Sequence, residues 1–169
     1  MLRPDPAVTT LEIVPEDPAR DAEAIEALFD ATFGPGHFAK TAERLREYNR
    51  SLPDITRVAR LDGEVIGVCR VWPIRVGESR ALFYGPVAVA PSHQGQRIGL
   101  TITGEALEAG ANADWPFAVL IGAPDYFGEI GFEVAAPGAL TFPGPQDSAR
   151  VMTRVLAGSS IATGPVRSA

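Results

Sequence analysis

The sequence predicts one α/β domain built on a mixed sheet of about six to seven strands with about four helices, and three observations carry that expectation. Ile55 to Leu61 and Glu64 to Pro73 are apolar, β-branched runs joined by Asp62-Gly63, a pair suited to a two-residue type I′ hairpin turn. Gly77-Glu78-Ser79 makes the next turn into a run from Arg80 to Val89, so three antiparallel strands follow one another. Pro116-Phe117-Ala118-Val119-Leu120-Ile121-Gly122 then reads as a strand covered on both faces, and the helix before it implies a parallel, right-handed crossover.

Taken in order, Met1 to Thr10 is proline-spaced and expected to be loose, and residues 11–157 form the single domain. A short strand covers Leu11 to Val14. Asp17 is a helix N-cap with Pro18 at the first helical position, and Ala22, Ile25, Leu28, Phe29 and Thr32 give an apolar stripe up to Gly34-Pro35-Gly36. A more charged helix is expected from Ala39 to Asn49. In the run ending at Val89, Pro86 lacks a ladder donor and Gly85 lacks a side chain, so regular pairing should lapse there. Ile98, Ile102, Ala106 and Ala109 mark one helical stripe, with Gly110 as its terminator. Ala139 to Phe142 and Val151 to Leu156 are further strands, and residues 158–169, rich in Gly, Ser, Thr and Ala, read as a partly disordered tail.

Composition bounds the function. In 169 residues the formal charge is −6 and the pI about 4.9, which disfavours a broad nucleic-acid-binding face. One cysteine, Cys69, and two histidines leave too few ligands for a structural zinc site, and Cys69 in its apolar run reads as a buried, inert thiol. No signal-type apolar segment and no membrane-length run is present, so a cytoplasmic protein that binds no membrane is expected.

The most informative stretch is Val87-Ala88-Val89-Ala90-Pro91-Ser92-His93-Gln94-Gly95-Gln96-Arg97-Ile98-Gly99, an apolar strand, a glycine-bearing turn and a helix start. Unpartnered N–H groups gather at such a helix mouth and favour a bound anion. No Gly-Lys-Ser/Thr follows, which disfavours a nucleotide P-loop. Gln94 to Gly99 resembles the acetyl-coenzyme A loop of the GCN5-related N-acetyltransferases (GNAT), Gln/Arg-x-x-Gly-x-Gly/Ala after a central strand. Gly122-Ala123-Pro124-Asp125-Tyr126-Phe127-Gly128-Glu129-Ile130-Gly131-Phe132 is similar to a second signature of that family, in its YhbS-like branch: Gly-x-Pro-x-Tyr-Tyr before Gly-Phe.

The resemblance implies a GNAT fold in which the parallel pair formed by the runs Arg80 to Val89 and Pro116 to Gly122 splays to admit the cofactor, and an acetyl transfer from acetyl-CoA to a primary amine of a small molecule or protein. It assigns cofactor binding to Val87, Ala88, Val89, Gln94, Gly95, Gln96, Arg97, Ile98 and Gly99. Val87 or Ala88 supplies the N–H beside the thioester carbonyl. Arg97 stands where the middle glycine usually is; it fits the turn if its φ is negative, and its guanidinium could then add a phosphate contact. His37 and Phe38, between the first two helices, border the acceptor. The family's thiolate-protonating tyrosine falls on Phe127, which has no proton to give, so Tyr126 is the candidate general acid although neighbours on a helix point ~100° apart. The central strand carries no Glu or Asp from Leu82 to Val89, and His93, Glu64 and Glu129 are the remaining base candidates. A chain of this kind that binds acyl-CoA without turnover, as a sensor or partner module, stays open beside the enzyme, as does a homodimer.

Overall fold

A computed structural model describes residues 10–34 and 44–169. The expected loose N-terminal segment, His37, Phe38 and the first part of the Ala39–Asn49 helix lie outside the described residues.

The first elements form where local chemistry dictates. Strand β1 (Leu11–Pro15) leads to helix α1 (Pro18–Phe33). Asp17 Oδ1 accepts from the N–H groups of Ala19 and Arg20 at 3.1 and 3.3 Å, and Asp21 Oδ2 accepts from the Asp17 N–H at 2.8 Å, so the two aspartates satisfy the helix start reciprocally. Strands β2 (Arg57–Leu61) and β3 (Glu64–Val76) are joined by Asp62 and Gly63 at φ 50° and 86°, the left-handed pair that a type I′ turn needs. Strand β4 (Ser79–Val89) returns along β3. Helix α2 (Ile98–Asn112) crosses to β5 (Phe117–Ile121), which pairs parallel with β4.

Helix α3 (Pro124–Phe127) precedes β6 (Glu133–Val134), β7 (Leu140–Thr141), β8 (Val151–Val155) and β9 (Gly164–Ser168). The sheet has nine strands, running β1-β2-β3-β4-β5-β8-β6, with β9 against β3 and β7 against β9. The run expected at Ala139 to Phe142 is β7, and the two-residue β6 and the C-terminal β9 are the strands that the sequence reading did not expect. The expectation of a loose tail is therefore corrected. Beyond Cys69 strand β2 no longer covers β3, and β9 fills that edge from Ile74 to Val76, with Val166 buried among Phe83, Phe117 and Val119. A vacant edge and one buried valine outweigh the composition of the segment.

Helix α1 packs on one face of the sheet over Val58, Val68 and Ala88; α2 and α3 pack on the other over Cys69, Leu82, Tyr84, Ala118 and Leu120. The expected stripe of α2 is buried at Ile98, Ile102 and Ala106. Gly110, however, does not end the helix, which runs two residues further. A Cβ there would stand 2.4 Å from the Tyr84 hydroxyl and 2.9 Å from Leu82 Cδ1, so glycine is required for the close approach of α2 to β4. The Tyr84 hydroxyl, fully buried, donates to the Ala106 carbonyl at 3.0 Å and fixes the same contact.

On the opposite face Arg60 of β2 makes a bidentate pair with Asp21 of α1 at 2.6 and 2.7 Å, both side chains buried. Burial pushes the Asp21 carboxyl up, but the Arg60 hydrogen bonds, the Asp17 amide and the Arg60 and Arg20 charges outweigh it and hold the group below its ordinary 3.8. A depressed carboxyl contributes stability above its unfolded value and loses it as pH falls toward the folded one. Asp21→Asn leaves the Arg60 charge buried and should cost about 3 kcal/mol or more in urea denaturation at neutral pH. Wild type should also lose stability below pH 3.8 more steeply than the variant. Gly110→Ala sets a helix-propensity gain of ~1 kcal/mol against a clash in a rigid core; the clash should win, with a net loss of about 1–2 kcal/mol in thermal unfolding.

Candidate functional site

Strand β4 leaves both neighbours at one place. Against β3 the register runs from Trp72↔Phe83 and Val71↔Tyr84 to Cys69↔Val87, so Arg70 alone faces Gly85 and Pro86, a bulge. Gly85 has φ 139°, a backbone region that only glycine enters freely, and Pro86 has no N–H. The Gly85 carbonyl accepts from Trp72 Nε1 at 2.7 Å. Against β5 the ladder holds Leu82↔Ala118, Phe83↔Val119 and Tyr84↔Leu120 and then stops. The lapse expected at Gly85-Pro86 is present, and it opens the β5 side of β4 from Gly85 onward.

The Ala90 N–H donates to the Ile66 carbonyl at 2.7 Å and so sets the phase of the antiparallel ladder. By alternation Ala88, opposite Val68, turns its main chain to β3, while Val87 and Val89 turn theirs to the opening. Ala88 is also 2% exposed beneath α1. The expectation that Ala88 shares cofactor contacts is therefore corrected. Gln94 Nε2 donates to the Val89 carbonyl at 3.1 Å, which leaves the N–H groups of Val87 and Val89 and the Val87 carbonyl facing the gap.

The following loop makes one 3₁₀ turn at Pro91–His93, with Ser92 Oγ 2.8 Å from His93 Nδ1, and then enters α2 through Gly95 at φ 83° and Arg97 at φ 61°. Among the described residues no protein acceptor takes the N–H of Gly95, Gln96, Arg97, Ile98, Gly99 or Leu100; the first helical bond is Thr101 N–H to the Arg97 carbonyl at 3.1 Å. The condition of a negative φ at Arg97 is not met. Arg97 adopts a left-handed conformation that glycine enters more freely, and its guanidinium pairs with the Glu129 carboxylate.

Helix α3 resolves the question of the two aromatic neighbours. Phe127 turns into the core, edge-on to Phe132 at 6.3 Å and directly over Gly122, where a Cβ would meet its ring at 2.5 Å. Tyr126 is 39% exposed and lays its hydroxyl over Gly99, 2.6 Å from where a Cβ would be, with Val89 Cγ2 3.5 Å from that same point. The ring at the helix mouth and strand edge is Tyr126.

The base candidates fare differently. Glu129 is engaged by Arg97, and Glu64 sits exposed beside the β2–β3 turn. The sequence reading missed the charges opposite the bulge: Arg70 is held between Glu16 and Glu26, 3.0 Å from each, with its guanidinium 5.7 Å from the centre of the Phe29 ring. No local pattern announces pairs 54 and 44 positions apart. A cavity of about 240 Å³ lined by Leu140, Thr141, Phe142, Gln146, Ser148 and Val151 lies on the α1 face. Val151 pairs with Ile121, the end of β5 that β4 leaves unpaired. Among the described residues no group of three or more His, Cys, Asp or Glu could hold a metal, and no helix is long and apolar enough to cross a membrane.

A parallel pair that parts in mid-sheet beside unaccepted amides defines a cleft for an extended, anion-bearing ligand. A family model described as Acetyltransferase (GNAT) family matches residues 22–117, more than half of the chain, and the chain belongs to that family. It is similar to the GNAT family N-acetyltransferase YhbS from Escherichia coli, solved in complex with CoA, at 28% identity and TM-score 0.79 over 99% of this chain and 94% of that one. A GNAT family acetyltransferase from Brucella melitensis in complex with acetyl-CoA shares 24% identity, with TM-score 0.70 over 94% and 95% of the two chains. The ribosomal-protein-S18-alanine N-acetyltransferase from Escherichia coli shares 14%, with TM-score 0.61 over 89% and 97%. These last two show the fold. No curated protein matches the sequence.

Burial pushes the Cys69 thiol up to about 12, against a hydrogen bond from Thr103 that lowers it. An aromatic disulfide reagent at pH 8 should leave native Cys69 unmodified and label it fully only in denaturant; fast labelling of the native protein would contradict its burial.

Proposed function

We propose that the chain transfers the acetyl group of acetyl-CoA to a primary amine. The observation that carries the reading is the run of unaccepted N–H groups from Gly95 to Leu100 beside a strand edge open at Val87, and the Escherichia coli relative holding CoA supports it. Acetyl-CoA supplies the activated acyl group as a thioester.

In this reading the main chain of Gly95, Gln96, Arg97, Ile98 and Gly99 holds the diphosphate. Val87 and Val89 bind the pantetheine arm as a missing strand would, and Gln94 braces the Val89 carbonyl from the side. The Val87 N–H stabilises charge developing on the acetyl oxygen. Such positioning accounts for ~7 kcal/mol or more of barrier lowering. Nitrogen bonds to the acetyl carbon as the carbon–sulfur bond breaks; Tyr126 gives its hydroxyl proton to the departing thiolate, the amine proton leaves to solvent, and solvent returns a proton to Tyr126. The acceptor enters on the α1 face, where the Thr141, Gln146 and Val151 cavity offers room, and His37 and Phe38 remain acceptor contacts by resemblance alone. The same reading takes the protein as cytoplasmic, where a lone thiol such as Cys69 stays reduced.

A second reading, acyl-CoA binding without turnover, draws on two observations. Phe127 is buried where the family's tyrosine stands, and Glu16, Glu26 and Glu129 are each engaged by an arginine. Thiol release from acetyl-CoA over a panel of amines, with CoA binding followed by calorimetry, separates the two. The enzyme reading expects turnover with at least one amine, and a drop of about 100-fold in kcat for Tyr126→Phe with CoA affinity unchanged. Binding with no turnover supports the second reading, and no binding at millimolar CoA overturns both.

A further inference from the structure

Arg97 is an unusual residue for its place. It is the N-cap of α2, at the positive end of the helix, where a cation is disfavoured, and it sits in the left-handed conformation that an L side chain rarely adopts. Its side chain is 66% exposed, yet it is not loose: the guanidinium pairs with Glu129, 32 positions on and itself 47% exposed. Glu129 lies in the turn Gly128–Ile130 that directly follows α3. Tyr126, three residues earlier, rests its hydroxyl on Gly99 in the first turn of α2. Two contacts therefore tie the α3 segment to the mouth of α2, at the place where six consecutive N–H groups have no protein acceptor.

An exposed ion pair of this kind is weak, and a guanidinium has a better partner in a doubly charged diphosphate, which offers bidentate geometry with the loop amides alongside. We propose that Arg97 changes partner on cofactor binding, leaving the Glu129 carboxylate for the diphosphate, so that Glu129 acts as a built-in competitor that lowers the affinity of the site for phosphate-bearing ligands. The inference rests on the diphosphate reading above and adds two residues that set its strength. No bond is made or broken; one anion replaces another beside the same cation. Release of Glu129 also removes one of the two contacts that hold Tyr126 over Gly99, so phosphate binding at the loop and the freedom of the hydroxyl are linked.

Calorimetry with CoA, and with pantetheine as a probe that carries no phosphate, tests it on wild type, Glu129→Gln and Arg97→Gly. Arg97→Gly keeps the left-handed turn, which glycine adopts readily, and removes only the cation. Glu129→Gln should bind CoA about fivefold tighter and Arg97→Gly about tenfold weaker than wild type, with pantetheine affinity unchanged in both. Wild-type binding of CoA with an unchanged or weaker Glu129→Gln overturns the partner exchange and leaves the diphosphate site standing. Equal shifts for CoA and pantetheine overturn it as well, since they show a structural effect on the whole cleft. Failure of wild type to bind CoA removes the diphosphate site itself, and the exchange with it.

Discussion

A sheet strand that loses its neighbour in the middle of a protein leaves main-chain groups with nothing to bond, and the structure depends on how β4 meets that constraint. From Leu82 to Tyr84 the strand is paired on both edges. From Gly85 the β5 edge is vacant, and buried unpaired N–H and C=O groups cost about 1–3 kcal/mol each. Side chains take two of the carbonyls: Trp72 bonds that of Gly85 and Gln94 that of Val89. The N–H groups of Val87 and Val89 are left at the opening, and the vacancy becomes a binding edge.

Everything around the opening is held in place by contacts on the two faces of the sheet. Gly110 lets α2 approach β4 closely enough for Tyr84 to bond the Ala106 carbonyl, which fixes where the mouth of that helix points. Phe127, clamped over Gly122 and against Phe132, anchors α3 so that Tyr126 is turned the other way, toward Gly99. On the far face the Asp21–Arg60 pair locks α1 to β2. A four-residue helix could not orient a tyrosine by itself; its buried neighbour does so.

The charged side chains near the opening are paired between elements, with Glu16 Oε2 and Arg70 Nε left buried without a hydrogen-bond partner among the described residues. Arg70 occupies Glu16 and Glu26, and Arg97 occupies Glu129. This arrangement leaves the exposed Tyr126 hydroxyl and the main-chain amides of Gly95 to Leu100 at the opening.

Local rules determined a good part of this protein from sequence. Asp17 and Pro18 start α1, Asp62-Gly63 turns the hairpin, Gly85-Pro86 interrupts β4 and Gln94 to Gly99 opens α2, because each depends on backbone preferences and caps within a few residues. Other features were settled only by tertiary contact. Gly110 serves packing rather than termination, Arg97 is left-handed because the loop requires it, the glycine-rich C-terminal segment becomes β9 because β3 has a vacant edge, and Ala88 faces away because ladder phase is set by Ile66. Pairs such as Arg70–Glu16 and Arg97–Glu129 join residues 54 and 32 positions apart. Such partners are chosen by where the strands and helices pack, and nothing in the chain between them encodes the choice.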